Sequence, residues 1–457
     1  MICRTFDQGY TRIKAWRVQM LIIKNGTVMD PATGTSGLFD LLIDEGRIVS
    51  IGASGSLDEM AAETMGMKAF ETAGAEELTQ IDAYGCVVAP GLVDGHVHFR
   101  DPGFTYKEDI ASGAKAAARG GFTSVVMMGN TKPHMDNTDT IHDVLERGAR
   151  TDIHIYTCGN VTMGMAGKEL TSMEELMEAG AVLFSDDGKP ITDEVLMEKA
   201  CNEAARLDRV ISLHEEDPAY IKDNGINSGD VAKHLGIEGS PREAEISMVK
   251  RDIEIARKTG ATIVIQHISA AESVELIRQA RREWVKVFAE ATPHHFSLTQ
   301  DAVLGHGSLA KMNPPLRLES DRLAIIEGLK DGTIDMIATD HAPHSKEEKE
   351  KPIREAPSGI TGLETSLGLG IRELVKPGHL SLMELLAAMT CNPASLYGLA
   401  AGGIRIGDSA DLVIFNPDEE WFFDISVSKS SNTPFLGETL PGKIHFTICR
   451  GKVIYSA

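Results

Sequence analysis

Histidines and aspartates recur in this chain at the ends of short apolar runs, and these residue types bind metal ions. The run VVAPGLVDGHVHF ends in His96 and His98, AVLFSDD in Asp186 and Asp187, RVISLH in His214, ATIVIQH in His267 and DMIATD in Asp340. Alternation along a strand sends residues two apart to the same side, so His96 and His98 could grip one ion together. Nitrogen and carboxylate donors without a thiolate suit Zn²⁺, with Mn²⁺ or Co²⁺ as alternatives, and a carboxylate can bridge two ions and leave a water between them. The chemistry of such a centre is metal-assisted hydrolysis, because the metal polarises a carbonyl and makes hydroxide available near neutral pH. A single histidine at a strand end is more often an ordinary polar residue. Five such ends in succession are what point to a metal. His134, His154, His234, His306 and His341 lack this placement and read as surface or supporting groups, while His294 and His295, in EATPHHFSLT, read as support near the same site.

The elements that must position these residues form a βα alternation. The short runs GFTSVVMM, AVLFSDD, RVISLHEE, ATIVIQHIS and DMIATDH are preceded by helix-like sequence such as MEELMEAG and LMEKACNEAARLD, the pattern of a parallel (β/α)₈ barrel. Such barrels carry their active sites at the C-terminal ends of their strands, where the candidate ligands fall. MLIIKNGTVMD and FDLLIDEGRIVSIG near the start, and ADLVIFNPD and HFTICRGKVIYSA near the end, are β-rich with tight turns, so the two ends are expected to build one small discontinuous β-sandwich domain. The expected division is 20–82 plus 400–457 for that domain, 83–399 for the barrel and 1–19 for an extension. SPRE at 240–243 predicts a capping box with Ser240 as N-cap and Glu243 as its partner. TYKED at 105–109 predicts the start of a helix facing solvent, SKEEKEK at 345–351 a solvated loop, and 55–77 an insertion.

Composition excludes other classes. With 42% hydrophobic and 25% charged residues the chain has the make-up of a globular enzyme, and 457 residues suit one barrel with an accessory domain. A formal charge of −22 argues against a nucleic-acid surface and for a small substrate. No apolar run reaches the roughly 18 residues of a membrane span and no secretory signal is evident, so the expected location is cytoplasmic. The six cysteines lack paired spacing and read as buried free thiols.

The combination PGLVDGHVHFRDPGFTYKED, GGFTSVVMMGNTKP, FSDDGKP, KMNPPLR, IATDHAPH, GITGLET and SKSSNTPFLGETLPGK resembles the dihydroorotases of the bacterial type I class, within the cyclic amidohydrolases. The similarity runs from about Met20 to the C-terminus. It implies a zinc barrel that interconverts N-carbamoyl-L-aspartate and L-dihydroorotate in pyrimidine synthesis. Two zinc ions, or one, would be held, with His96 and His98 on one and His214 and His267 on the other. Asp187 and a hydroxide would bridge them, Asp186 would be a turn residue, and Asp340 would be both a ligand and the general base. Hydantoinases and allantoinases use a carboxylated lysine as the bridge; Lys189 is the nearest lysine here but lies beyond Gly188. The resemblance places the substrate at His98, Arg100, Asn130, Asn313, His344, Ser358 and Gly359. A guanidinium suits a carboxylate, which dihydroorotate carries and simple hydantoins lack.

One departure stands out: the family's PFGI is replaced by PSGI, so Ser358 takes an aromatic's place beside Gly359. The resemblance further implies a homodimer, with aspartate carbamoyltransferase as a candidate partner and no nucleic-acid or membrane partner. The alternatives are another cyclic amidohydrolase, disfavoured by Arg100 and Asp187, and a catalytically silent scaffold, disfavoured by the retained ligand positions.

Overall fold

Gly91 splits the first apolar run into two strands that belong to different sheets. The computed structural model describes residues 20–62, 64 and 78–457. β1 (Met20–Asp30), β2 (Thr35–Asp44), β3 (Arg47–Ala53), β4 (Leu78–Asp82) and β5 (Val87–Pro90) precede the barrel strands β6 (Leu92–Val97), β7 (Phe122–Met127), β8 (His154–Gly159), β9 (Ala181–Phe184), β10 (Val210–Leu213), β11 (Thr262–Ile265), β12 (Val287–Ala291) and β13 (Met336–Ile337). β14 (Leu412–Phe422), β15 (Thr439–Cys449) and β16 (Lys452–Ser456) follow them.

The strands from both ends make one mostly antiparallel sheet in the order β16-β15-β14-β5-β1-β2-β3, with β4 beside β1, and β6 to β13 pair in sequence order. The barrel pairs are parallel. Their ring is closed where Val97 bridges His341 and the His98 amide donates to the His341 carbonyl at 2.9 Å. Barrel strands are covered on both faces, which is why they read as continuous apolar runs without alternation; β6 and β7 are buried throughout. Two of the helices between them begin at aspartate caps: Asp109 accepts from the Ser112 amide at 2.8 Å, and Asp193 from the Leu196 amide at 3.0 Å. The lower end of the lumen is filled by Val93, Val126, Met128, Leu183, Val264 and Tyr397. Tyr397 explains the glycine between Asp94 and His96, since a Cβ on Gly95 would sit 2.6 Å from its ring.

Several sequence expectations are corrected. The boundary at 83 falls too early: β5 pairs with β1 and β14, so the terminal sheet continues through Pro90, and only the break at Gly91 separates two runs that are equally apolar. Ser240 is not an N-cap. The helix Glu243–Thr259 follows Arg242 without a side-chain cap, because Ser240 is drawn into a bridge with Asn227 and its hydroxyl donates to Glu216 at 3.3 Å. Glu108 of TYKED is buried, bonded to Ser112 and Ser428. SKEEKEK contains the short helix Lys346–Lys349, capped by Ser345. Its Lys349 is buried and donates to the carbonyls of Pro357 at 2.9 Å and Gly359 at 3.0 Å. The expected extension at 1–19 and most of the expected insertion at 55–77 lie outside the described residues. Of the described cysteines, Cys391 is partly exposed, while Cys86, Cys158, Cys201 and Cys449 are buried thiols. Among the described residues no helix is long and apolar enough to cross a membrane.

Candidate metal centre and substrate site

Asp94 ties together the two strand ends that carry most of the centre. Its carboxylate accepts from the His96 amide at 3.0 Å, the Thr339 amide at 3.2 Å and the Thr339 hydroxyl at 2.5 Å. The chain ends of β6 and β13 are thereby locked in register, and Asp340 meets the two histidines: its Oδ1 lies 2.9 Å from His98 Nε2 and 3.5 Å from His96 Nε2.

Asp187 occupies the middle of the group. One oxygen lies 3.5 Å from His96 Nε2, 3.4 Å from His214 Nδ1 and 3.7 Å from His267 Nε2, and the other 3.3 Å from His98 Nε2. Asp186 is turned away, accepting from the Val161 amide at 2.9 Å and from the amide and hydroxyl of Thr162. Lys189 is exposed. Two overlapping trios result, His96 with Asp187 and His267, and His96 with His98 and Asp340, each compact enough for one ion. His96 Nε2 is buried with no hydrogen-bond partner. An unpartnered imidazole nitrogen among carboxylates and other imidazoles fits a borderline metal ion of the zinc class, which would take the place of its proton.

Charge in this cluster is poised for a cation. Burial works against the protonated form of His214, but Asp187 and Glu216 outweigh it and raise its pKa to about 10. Burial likewise opposes charge on His96, yet Glu290, Asp187 and Asp340 hold its pKa well above the ordinary value. Burial also opposes charge on Asp340 and Asp187; the His96 charge and the neighbouring imidazoles overcome it and keep both carboxyls well below the usual range. Without metal, protons on the imidazoles neutralise the carboxylates; a divalent ion takes their place and releases them.

Carboxylates missed by the sequence reading orient the ring. His96 Nδ1 bonds Glu290 at 2.6 Å, and the same Glu290 oxygen accepts from the His267 amide at 3.3 Å. His214 Nε2 bonds Glu216 at 3.1 Å. Such partners set the tautomer and raise the basicity of a ligating imidazole. Their signal was present in the sequence, since Asp94 and Glu290 are acids inside apolar strands, where an unpartnered charge is not tolerated. Arg100, His267 and Asp340 have positive φ, at 59°, 31° and 45°, a strained state for non-glycine residues that is found at functional sites.

Of the expected substrate residues, Asn130 touches the ring directly, and Arg100, His344 and Gly359 pack on one another. Arg100 Nε donates to the Pro343 carbonyl at 3.2 Å and Nη2 to His344 Nε2 at 3.4 Å. Among the described residues no carboxylate lies within ion-pair distance of it. His344, with Lys107 Nζ 3.2 Å from its other nitrogen, is held neutral by burial and by the Arg100 and Lys107 charges. Asn130 joins His98 Nδ1 at 3.0 Å to Asp187 at 3.2 Å. Asn313 Oδ1 and Ser358 Oγ are buried without partners. Gly359, at φ +147°, has no room for a side chain, since a Cβ would lie 2.6 Å from the Ala342 carbonyl and 2.7 Å from the His344 ring. Gly225 packs on Ser358, a Cβ there falling 2.2 Å from Ser358 Oγ, so the space a bulkier side chain would need is taken by backbone. His295 supports the site from outside, donating Nε2 to the Pro314 carbonyl at 3.0 Å. Buried His341 bonds Glu108 at 3.4 Å.

A parallel barrel with a histidine and aspartate cluster at the C-terminal ends of its strands, joined to a sheet from both chain ends, defines a class of metal-site barrel hydrolases. The amidohydrolase family pattern matches residues 87–454, and the chain belongs to that family. It is 52% identical over 438 residues to the dihydroorotase of Clostridioides difficile (strain 630), covering 96% of this chain and 100% of the relative. To the dihydroorotase of Lactococcus lactis subsp. lactis (strain IL1403) it is 48% identical over 441 residues, covering 96% of this chain and 99% of the relative. Among solved structures, the L-hydantoinase (dihydropyrimidinase) from Arthrobacter aurescens superposes with a TM-score of 0.82 at 25% identity, covering 95% of this chain and 96% of that one.

Proposed function

We propose that this protein is a dihydroorotase, a cyclic-amide hydrolase that closes N-carbamoyl-L-aspartate to L-dihydroorotate and reopens the ring, with zinc as its metal and two ions per site. Beyond the sequence relatives, the observation that carries the reading is Arg100, a guanidinium beside the histidine ring whose protein partners are a carbonyl and a neutral imidazole. A cation so placed is ready for a substrate carboxylate, held by two parallel hydrogen bonds. Bound metal would polarise the ring carbonyl and lower the pKa of water to about 7.

The chain's own residues do the rest. His96, His98, Asp187, His214, His267 and Asp340 would hold the ions, with Asp187 between the two pairs of histidines. Asp340, shared between His96 and His98, takes the proton of the attacking water and delivers it to the departing ring nitrogen. In ring closure it returns that proton along the same path. Arg100 and His344 fix the carboxylate, and Asn130, Asn313, Ser358 and the Gly359 backbone orient the ring. An aspartate at the bridge, with Lys189 exposed, supports this reading over a hydantoinase that relies on a carboxylated lysine.

The test compares dihydroorotate with 5,6-dihydrouracil, the same ring without the carboxylate. Wild type should strongly prefer dihydroorotate, and Arg100→Met should lower kcat/KM on it about a hundredfold while narrowing the preference. Equal losses on both substrates, or wild-type hydrolysis of dihydrouracil at least as fast, would overturn the carboxylate reading.

A further inference from the structure

A second group of metal-ligating side chains lies at the opposite end of the barrel strands from the catalytic ring. His154 is the first residue of β8, Asp411 immediately precedes β14, and Cys449 is the last residue of β15. One nitrogen, one carboxylate oxygen and one sulfur from the three lie within 4.8 Å of one another. His154 Nε2 is 3.0 Å from Asp411 Oδ2. Asp411 Oδ1 accepts from the Arg450 amide at 2.7 Å, which fixes the carboxylate and keeps Oδ2 turned to the histidine. The Arg450 guanidinium is occupied by the carbonyls of Thr151 at 2.9 Å and Ile153 at 3.3 Å. Cys449 Sγ is buried, with a long contact of 4.0 Å to the Thr123 carbonyl.

We propose that His154, Asp411 and Cys449 bind one divalent cation of the zinc class, which staples the terminal sheet to the barrel. Zinc–nitrogen and zinc–sulfur bonds of about 2.0–2.3 Å separate tetrahedral ligand atoms by roughly 3.3–3.8 Å, so displacements of about 1 Å close this trio on an ion. Charge favours it. One carboxylate, one thiolate and a neutral imidazole cancel a divalent ion, leaving no net charge in a largely buried site. His154 is partly exposed and lines an open cleft of about 900 Å³ that Arg47 and Asp411 also line, so an ion can enter and a water can supply the fourth ligand. Burial pushes the Cys449 thiol well above its ordinary pKa, and Asp411 and the desolvated surroundings keep it protonated without metal; binding therefore expels that proton as the sulfur–metal bond forms.

No cysteine is among the donor groups of the catalytic ring described above, so a thiolate-to-cobalt charge-transfer absorption in the near ultraviolet does not come from that ring, and the Cys449 variant tests whether it comes from this second site. The full chain, kept reduced and stripped of metal, is titrated with Co²⁺. The expected result is a thiolate band that saturates at one ion per chain. It should be absent in Cys449→Ser, need at least about tenfold more cobalt in His154→Gln, and remain unchanged in Cys391→Ser. Ring-opening activity after zinc is restored should match wild type in all three. Absence of the band at saturating cobalt, or its persistence in Cys449→Ser, overturns the proposal. If Cys449→Ser does not fold, the partly exposed His154→Gln carries the test, and unchanged cobalt affinity in that variant overturns it equally.

Discussion

The terminal sheet and the barrel mouth solve opposite problems with the same chain. In the sheet, Leu21, Ile23, Leu41, Ile43, Ile414 and Ile448 pack into one core, and buried Asp40 is satisfied by the amides of Asn25 at 3.0 Å and Gly55 at 2.7 Å. At the mouth, buried carboxylates and imidazoles crowd together, three non-glycine residues take left-handed backbone, and His96 Nε2 has no hydrogen-bond partner. The sheet keeps its left-handed non-glycine residues Asn25, Glu45 and Arg450 at a bulge and at turns and pairs its buried charge with backbone amides, whereas the mouth crowds ionisable groups together and depends on its surroundings to hold them. The contrast implies that stability resides in the sheet and barrel wall, while the mouth is completed by an ion.

The strongest way to break this contrast is to remove the ion's grip. Replacing His96 and His98 together by Ala should abolish metal binding and lower kcat by several orders of magnitude, while far-UV circular dichroism stays native, because strand-end residues at a barrel mouth contribute little to the core. Stoichiometric zinc in that variant, measured by elemental analysis, would show that the ring is not the metal site. Next in size is Asp340→Asn, which keeps the shape but cannot accept a proton; kcat should fall about 10³-fold with substrate affinity within about tenfold. A loss confined to KM would make Asp340 a positioning residue.

Glu290→Gln should weaken metal affinity roughly 10–100-fold in a chelator competition, since it loosens the hold on His96. Metal affinity should also climb with pH: the folded, metal-free protein holds a proton on His214 up to about pH 10 and on His96 well above its ordinary range. Each such proton must leave before the ion binds. Affinity therefore gains about tenfold per pH unit for each proton displaced, until the pH passes the raised His214 pKa of about 10 and that contribution levels off. A flat profile from pH 7 to 9 would mean that the imidazoles of the metal-free cluster are already neutral in that range. The smallest effect on activity belongs to the sheet. Ile414→Ala should cost about 2–5 kcal/mol of stability through a core cavity, read as a drop in Tm, with kcat unchanged in the protein that remains folded.

How much of this was legible beforehand follows from locality. Strand alternation, apolar runs and turn signals are properties of neighbours in sequence, so the barrel, the sheet from both ends and the strand-end positions of His96, His98, His214, His267 and Asp340 could be read from the chain alone. The resemblance to a known family supplied Asp187 and Arg100 as the residues to watch. What depends on residues far apart in sequence could not be read this way. Asp94 meets Thr339 and Glu290 meets His96 only because the barrel closes in one register. Asp187 faces the ring only because Asp186 is bound to the loop at Val161 and Thr162.

The same reason explains the misreadings at the edges. Glu108 and Lys349 look like solvated charges in sequence, yet tertiary packing buries them against Ser428 and against the carbonyls beside Ser358. Ser240 carries every local sign of a helix cap, but a bridge to Asn227 takes its backbone. The alternation of barrel strands and helices, the β-rich chain ends and the strand ends that carry ligand chemistry are legible in the chain alone, because hydrophobic period and residue type are local. Tertiary structure alone decided which charges are buried, which carboxylate faces the imidazoles and which glycine backbone approaches the substrate site, because desolvation and pairing exist only once distant segments meet.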